Sequence, residues 1–297
     1  MSEEVRLAQK GEIARLKEIW KLCFGDSDEF IDFYYANRFK EEETVLRLHN
    51  GEISAMLTMI PVWMVSSDNQ RFKTAMLYAI ATHPKNQNRG LATRLMDFTN
   101  QYLIKNNIQF SVLVPAEKKL FDFYRKQGYQ DCFYIRELRF SKDMISSWPK
   151  PTSSRCTISS IFPKEYNFRR NMQLNGRPHI AYADEEIAYQ KKLSLKSGAD
   201  IYGIDIKDKI GGCLAIERVD ADRVLIKEIL LPDEFIDLAI QQVLKLLHAK
   251  EYIYRTPVFL GNHLGGSIRP FGMIRLNSEC NLEISPQELE YLGFAFD

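Results

Sequence analysis

The chain has 297 residues, 45% of them hydrophobic, and its 40 Lys and Arg against 39 Asp and Glu leave a formal net charge of +1. That length suits two domains with a sizeable core, and the balanced charge offers no field for nucleic acid or an anionic membrane. No stretch is apolar enough to span a bilayer, the opening MSEEVRLAQK is acidic where a secretory leader is basic, and five scattered cysteines form no C-x-x-C pair. A cytoplasmic protein without a metal site is expected.

In chain order, VRLA reads as a short strand. GEIARLKEIWKLCF places Ile13, Leu16, Ile19, Trp20 and Cys23 on one helical face, and DSDEFIDFYYANRF opens with capping residues and spaces Phe30, Phe33 and Tyr34 as a second helix. TVLRLHN, ISAMLTMIPVWMVSS and FKTAMLYAIAT read as strands, the last two joined by polar SSDNQR. A helix with Leu91, Leu95, Phe98 and Tyr102 in one stripe comes next, then the apolar strand IQFSVLVP. EKKLFDFYRKQGY forms a helix closed by Gly128, and CFYIRELRF a strand. The Pro- and Ser-rich SSWPKPTSS, Ser146 to Ser154, can continue neither helix nor central strand, which divides the chain into domains at 1–147 and 148–297. The second half echoes the first: strands ADIYGIDI, KIGGCLAIERVD and DRVLIKEILLP, then a helix DEFIDLAIQQVLKLLHA with Ile236, Ile240, Val243 and Leu247 inward, while GNHLGGSIRPFG reads as a loop.

The chemistry concentrates in HPKNQNRGLATRLM. Gln87, Gly90 and Ala92 fit Q/R-x-x-G-x-G/A, between a strand ending at Thr82 and a helix. A helix start carries unpaired N–H groups and the positive end of the dipole, and several such groups close on one phosphate. Glycine at 90 lets an anion approach the main chain. The hexapeptide alone is common; its setting makes it informative.

AIATHPKNQNRGLATRLM resembles motif A of the GNAT superfamily of acyl-CoA-dependent N-acyltransferases, and FDFYRKQGY resembles that family's F-Y-x-x-x-G-F/Y segment. EIWKLCFGDSDEFIDFYY narrows the resemblance to the Eis-like (enhanced intracellular survival) acetyltransferases. The fold implied is α/β: a GNAT domain with a mixed central sheet flanked by helices, followed by a second, degenerate GNAT-like domain. FGMIRLNS resembles the segment leading into these enzymes' third domain, for which this chain has no room.

The resemblance implies acetyl-CoA as cosubstrate and direct attack by a primary amine, of a small molecule or a peptide, in a ternary complex. Backbone groups of Ile80, Ala81 and Thr82 would hold the pantetheine arm, and those of Asn88, Arg89, Gly90, Leu91, Ala92 and Thr93 the pyrophosphate. Gln87 fills the first motif position and Arg89 adds charge. An N–H of the splayed strand would serve as oxyanion donor, and Tyr124 would protonate the departing thiolate. Two positions depart from the pattern: Glu117 stands where many GNAT helices have asparagine, and KTAMLYAIAT lacks the glutamate many members use as base. Asp297 is the base expected instead, through the C-terminal carboxylate that Eis-like enzymes use; His83, Asp26 and Asp28, through water, are the others. The resemblance also allows a homo-oligomer, since larger relatives form hexamers. A non-catalytic acyl-CoA-binding or regulatory module is the alternative. In the second half, ILLPDEFIDLAI puts Asp233 and Glu234 where the first half has its cradle; these acids are expected to satisfy the helix start themselves and repel a pyrophosphate. That domain would then wall the acceptor pocket.

Overall fold

The computed structural model describes residues 3–148, 155–207, 209–278 and 290–296. Its elements run β1 (Glu3–Leu7), α1 (Ile13–Phe24), α2 (Asp28–Asn37), β2 (Thr44–His49), β3 (Glu52–Val65), β4 (Arg71–Thr82), α3 (Leu91–Lys105), β5 (Phe110–Leu113), α4 (Lys118–Lys126), β6 (Gln130–Ser141) and α5 (Lys142–Ser146). They continue with β7 (Cys156–Ser160), α6 (Pro163–Leu174), β8 (His179–Ala181), α7 (Asp184–Lys196), β9 (Ile201–Ile206), β10 (Lys209–Arg218), β11 (Arg223–Leu230), α8 (Ile236–Leu246), β12 (Glu251–Thr256) and β13 (Ser267–Leu276). Through β6 this is the order expected from the sequence, element for element. No helix among the described residues is long and apolar enough to cross a membrane.

The chain divides into two compact units. Of the described residues, 3–64, 72–131 and 272–278 form the first; 65–71, 132–148, 155–207, 209–271 and 290–296 form the second. The first unit orders its strands β1-β2-β3-β4-β5-β13, with β1, β2 and β3 antiparallel in turn and β4 parallel to β5. The parallel step needs a crossover, and α3 supplies it. Leu95, Met96 and Leu103 of α3 pack on Val45, Leu57, Ala75, Leu77 and Leu113 of the sheet; of the stripe expected from the sequence Leu95 lies in this core, while Phe98 and Tyr102 are partly buried against it. Ser27 caps α2 by accepting the Phe30 N–H. After α4, Gly128 takes φ 84°, and Tyr129 N–H bonds the Tyr124 carbonyl to stop the helix.

The second unit repeats this order. β7 pairs antiparallel with β9, β9 with β10 and β10 with β11, while β12 runs parallel to β11 after α8. Two helices, α6 and α7, precede the meander as α1 and α2 do in the first unit. The hydrophobic pattern does not reveal α6 and α7, for a physical reason. α6 buries Asn167, Arg169 and Arg170 and exposes Phe168 and Met172; α7 buries Glu186, Gln190 and Ser194. Their polar side chains point inward, so periodic burial does not follow periodic hydrophobicity.

These inward charges hold the last described segment, residues 290–296. Arg170 and Glu228 are both 0% exposed and paired at 3.1 Å. Arg170 also donates to the carbonyls of Ile180 (2.8 Å) and Leu292 (3.3 Å), Tyr166 donates to Glu228 at 2.8 Å, and Tyr182 donates to Leu292 at 2.9 Å. Gly293 has φ 81°, and a Cβ there would stand 2.6 Å from Glu228 Oε2 and 2.7 Å from Arg170 Nη2. Removing one partner of such a pair strands the other charge, so Arg170→Met should lower the unfolding free energy by about 3–5 kcal/mol in urea titrations. A loss below about 1 kcal/mol, the range of an exposed pair, would show that the cluster is not holding this unit.

His179, buried, donates from Nδ1 to the Arg177 carbonyl at 2.7 Å. Burial first, and the Arg170 charge second, push its pKa down to about 4. An unfolded histidine titrates near ~6.5, so between that pH and about 4 the unfolded chain takes up a proton that the folded one refuses. Stability should therefore fall as pH drops through this window and not respond to His179 above it. His179→Gln should flatten that part of the stability–pH curve, and an unchanged curve would rule out the assignment.

Candidate active site

Thr74–Leu77 of β4 pair in parallel register with Phe110–Leu113 of β5, and there β5 ends. β4 runs on through Thr82, and Tyr78, Ala79 and Ile80 become half-exposed after four buried residues. Ala79 adopts φ 50°, a left-handed conformation that costs a non-glycine residue ~1–2 kcal/mol and turns the strand away from β5. The strand end is tied elsewhere. The Thr82 carbonyl accepts from Cys23 Sγ at 3.2 Å and from Gln87 Nε2 at 3.1 Å, and His83 N–H donates to the Ser54 carbonyl at 2.9 Å.

Next comes a single 3₁₀ turn, Pro84–Asn86. Asn88 (φ 61°) and Gly90 (φ 72°) bring the backbone into α3, whose start no side chain caps. The starts of α2 and α5 are capped, by Ser27 and Ser141, while α1, α4, α6, α7 and α8 share the uncapped start of α3, so it is the exposed glycine loop before α3 that sets it apart. The N–H groups of Leu91, Ala92 and Thr93 at the head of α3 have no intrahelical acceptor, and the loop before them is exposed. A Cβ built on Gly90 would meet no atom within 4 Å, so open space lies in front of this backbone. Lys85 and Arg89 are exposed beside it. The arrangement fits a pyrophosphate: an uncapped dipole end, a main chain that can be approached, and cationic side chains at the rim.

On α4, Tyr124 is 7% exposed, with Phe123 and Tyr129 ring centroids at 5.1 and 6.0 Å. It shares one apolar cluster with Leu95 and Met96 of α3, and Ile80 packs against the same cluster. Burial pushes its pKa up to about 12, so the phenol keeps its proton at neutral pH. Glu117, at the start of α4, caps nothing and pairs with Lys119 at 2.7 Å.

The residues expected from the sequence thus fall on one stretch, Ile80–Thr82 and Gln87–Thr93, with Tyr124 in the cluster beneath it. Gln87 spends its amide on the Thr82 carbonyl, closing the loop from within. The alternative bases are engaged: Asp26 accepts from Trp20 Nε1 at 2.7 Å and Asp28 pairs with Lys21 at 2.7 Å. His83 is buried with Nδ1 accepting the Lys85 N–H at 3.2 Å, which leaves Nε2 to carry the proton of the neutral ring. Asp297 and Cys280 lie outside the described residues. Tyr78 escapes the sequence reading. Its ring lies 5.8 Å from both Trp20 and Tyr34, so the half-exposed strand end faces an aromatic wall from α1 and α2. Only its position just past the end of β5 marks it out. Among the described residues no cluster of His, Cys, Asp and Glu could hold a metal ion.

One expectation for the second unit is corrected. Asp233 and Glu234 do not cap α8, which has no side-chain cap. Asp233 Oδ1 accepts the Gly261 N–H at 2.6 Å, and Asp237 pairs with His263 Nε2 at 2.8 Å. These acids hold the following loop against the junction, because α8 enters through a 3₁₀ turn, Asp233–Phe235, that leaves their carboxylates facing the loop.

Residues 4–132 match the family model of the acetyltransferase (GNAT) domain. The chain has the fold of solved GNAT-related and tandem GNAT proteins. It matches a GCN5-related N-acetyltransferase from Anabaena variabilis over 93% of this chain and 73% of that one, with TM-score 0.75 and 18% identity. Eis1 from Mycobacterium abscessus matches over 93% and 74%, with TM-score 0.69 and 14% identity. A tandem GNAT protein from the clavulanic acid biosynthesis pathway matches over 94% of this chain and 100% of its own, with TM-score 0.57 and 12% identity. No curated protein matches the chain.

Gly90→Ala separates packing from ligand approach. The new methyl meets no protein atom, so the expected stability loss is the left-handed strain alone, about 1–2 kcal/mol. The methyl does project into the space a pyrophosphate needs, so stabilisation by CoA in a thermal shift should largely disappear. Wild-type stabilisation in Gly90→Ala would remove the cradle from α3.

Proposed function

We propose that this protein is an acetyl-CoA-dependent N-acetyltransferase acting on a primary amine of a small molecule or peptide within a ternary complex. One observation carries the reading: the end of β4 beyond its partner leads, through the loop of residues 83–90, to an uncapped helix start, and Ile80 of that end packs on a cluster that contains a buried, protonated tyrosine. Acetyl-CoA, when bound, supplies the thioester that the amine attacks.

The backbone of Asn88–Thr93 and the α3 dipole would hold the pyrophosphate. The edge of Ile80, Ala81 and Thr82 would bond the pantetheine amides, as one more strand bonds a sheet edge. An N–H in the splayed part of β4 would stabilise the developing oxyanion, a donor fixed in place before reaction. Tyr124 would give its proton to the departing thiolate, for which its raised pKa keeps it ready. Asp297 is the base on resemblance alone. The second domain, its own junction occupied by Gly261 and His263, would carry no acyl-CoA.

The test is acetyl-CoA-dependent release of free thiol across a panel of aminoglycosides, polyamines and peptides, beside thermal stabilisation by CoA. At least one amine should support turnover, and Tyr124→Phe should lower kcat by ~10²–10⁴ while leaving CoA stabilisation intact. Stabilisation without turnover on any amine would favour a non-catalytic CoA-binding module, the reading to which the absence of an acidic residue in KTAMLYAIAT gives weight. If CoA did not stabilise the protein, the cofactor reading would fall.

A further inference from the structure

Tyr124 has no hydrogen bond of its own to aim it: burial alone raises its pKa, and among the described residues no group bonds its hydroxyl. Tyr129 touches it twice. The Tyr129 N–H donates to the Tyr124 carbonyl at 3.1 Å, and its ring stands edge-on to the Tyr124 ring, with 6.0 Å between centroids. The far end of Tyr129 is pinned. Its hydroxyl lies 2.9 Å from Ser111 Oγ of β5, Ser111 donates to Asn277 Oδ1 at 3.2 Å, and Arg275 Nη1 donates to the same oxygen at 2.6 Å. Since Ser111 spends its proton on Asn277, Tyr129 is the donor to Ser111. Asn277 is fixed in turn by its own N–H on the Gln109 carbonyl (2.8 Å) and by Nδ2 on the Ile108 carbonyl (3.3 Å). Arg275 and Asn277 come from the far end of the sequence, yet they belong to the first unit, where β13 pairs antiparallel with β5 and sets Arg275 opposite Ser111. Tyr129, Ser111 and Asn277 are all buried. Packing does not require these oxygens: the F-Y-x-x-x-G-F/Y segment takes phenylalanine at this position as well, and a bare ring would fill the same space. A satisfied chain of hydrogen bonds adds direction, because it fixes the phenol oxygen where an apolar contact lets a ring slide.

We propose that Tyr129 is a strut for Tyr124: Arg275, Asn277 and Ser111 hold the Tyr129 ring, and that ring sets the direction of the Tyr124 hydroxyl. This rests on the reading of Tyr124 as the acid and goes beyond it, because a strand from the far end of the sequence then takes part in placing the proton. Tyr129, Ser111, Asn277 and Arg275 are positioning residues, and Tyr124 is the group that meets the leaving thiolate. The strut exchanges no proton; Tyr124 gives its own to sulfur as the carbon–sulfur bond breaks.

The experiment follows Tyr124 itself, by NMR of protein isotope-labelled at the tyrosine Cζ, with the Tyr124 signal identified by its loss in Tyr124→Phe. Adding CoA should move that signal in the wild type, as the thiol meets the phenol. In Tyr129→Phe, which keeps the ring and removes the oxygen, CoA should still raise the melting temperature as in the wild type, while the movement of the Tyr124 signal is largely lost. Arg275→Met should act likewise and Arg275→Lys should restore most of the movement, a pattern that lost packing would not give. With an amine that supports turnover, Tyr129→Phe should lower kcat about tenfold with the KM for acetyl-CoA unchanged. It should have no further effect in Tyr124→Phe, since a strut acts only through what it holds; a merely structural role would cost activity in both backgrounds alike. Circular dichroism and a urea midpoint check the fold of each variant, and Arg275→Met, at a half-exposed position, decides the matter should Tyr129→Phe fail to fold. A movement of wild-type size in both variants would overturn the strut and leave the cofactor reading standing. CoA stabilisation without any movement of the Tyr124 signal in the wild type would remove the acid and the strut together. A wild-type protein that CoA does not stabilise would overturn the cofactor reading, and the strut with it.

Discussion

β4 outlasts the strand beside it. It pairs with β5 over four residues and then continues for five more past the end of that pairing. Backbone groups that lose a ladder must find other partners or face solvent or ligand. In this unit each outcome occurs along one short stretch. The Thr82 carbonyl is taken by Cys23 and Gln87, and His83 N–H by Ser54, while Tyr78–Ile80 are left half-exposed with Ala79 turned to a positive φ. The gap opens at the carboxyl end of a parallel pair, where α/β folds place their ligands. Ile80 of this stretch packs against the tyrosine cluster, and Tyr78 against the rings of Trp20 and Tyr34.

The second unit tests this account, because it contains the same geometry with different residues. β11 pairs in parallel with β12 over four residues, Arg223–Ile226, and runs on to Leu230. In both units the first strand of the parallel pair thus runs past the pairing, although β12, unlike β5, also continues, to Thr256. What differs is the junction. The first unit enters its helix through Asn88 and Gly90 in left-handed conformations, with basic residues at the rim. The second enters through Leu231, Pro232 and the acids Asp233 and Glu234, with Gly261 fastened to Asp233 and His263 to Asp237 in the first turn of α8. Like charge opposes a phosphate there, and a loop stands in its way.

Much of this was legible in the sequence, and the reason is local. α1, α2, α3 and α4 and the strands around them follow the hydrophobic period closely, so their order in the first unit is readable through β6. The cradle is readable for the same reason, since HPKNQNRGLA lies between two clear periodic segments. α6 and α7 are not readable. Arg170 faces inward only because Glu228, from a strand more than fifty residues away, meets it at zero exposure. A pattern rule that sends charge to solvent cannot anticipate a partner supplied by folding. Arg47 is hidden in the same way: nothing in TVLRLH announces that its arginine is buried, with Glu3 as its counter-ion.

By itself the sequence determined where the turn glycines and most apolar stripes lie, and from these the order of elements through β6 and the position of a candidate anion cradle at Gly90. These are decided within a few residues, by backbone sterics and side-chain period. The tertiary structure alone decided how those pieces serve one another. It set where β5 stops beside β4, which carbonyl takes the Gln87 amide, that Tyr124 is buried deeply enough to keep its proton, and that Asp233 holds a loop where the sequence suggested a cap. Each of these depends on contacts between residues distant in the chain, whose free energies exist only once the sheet has formed.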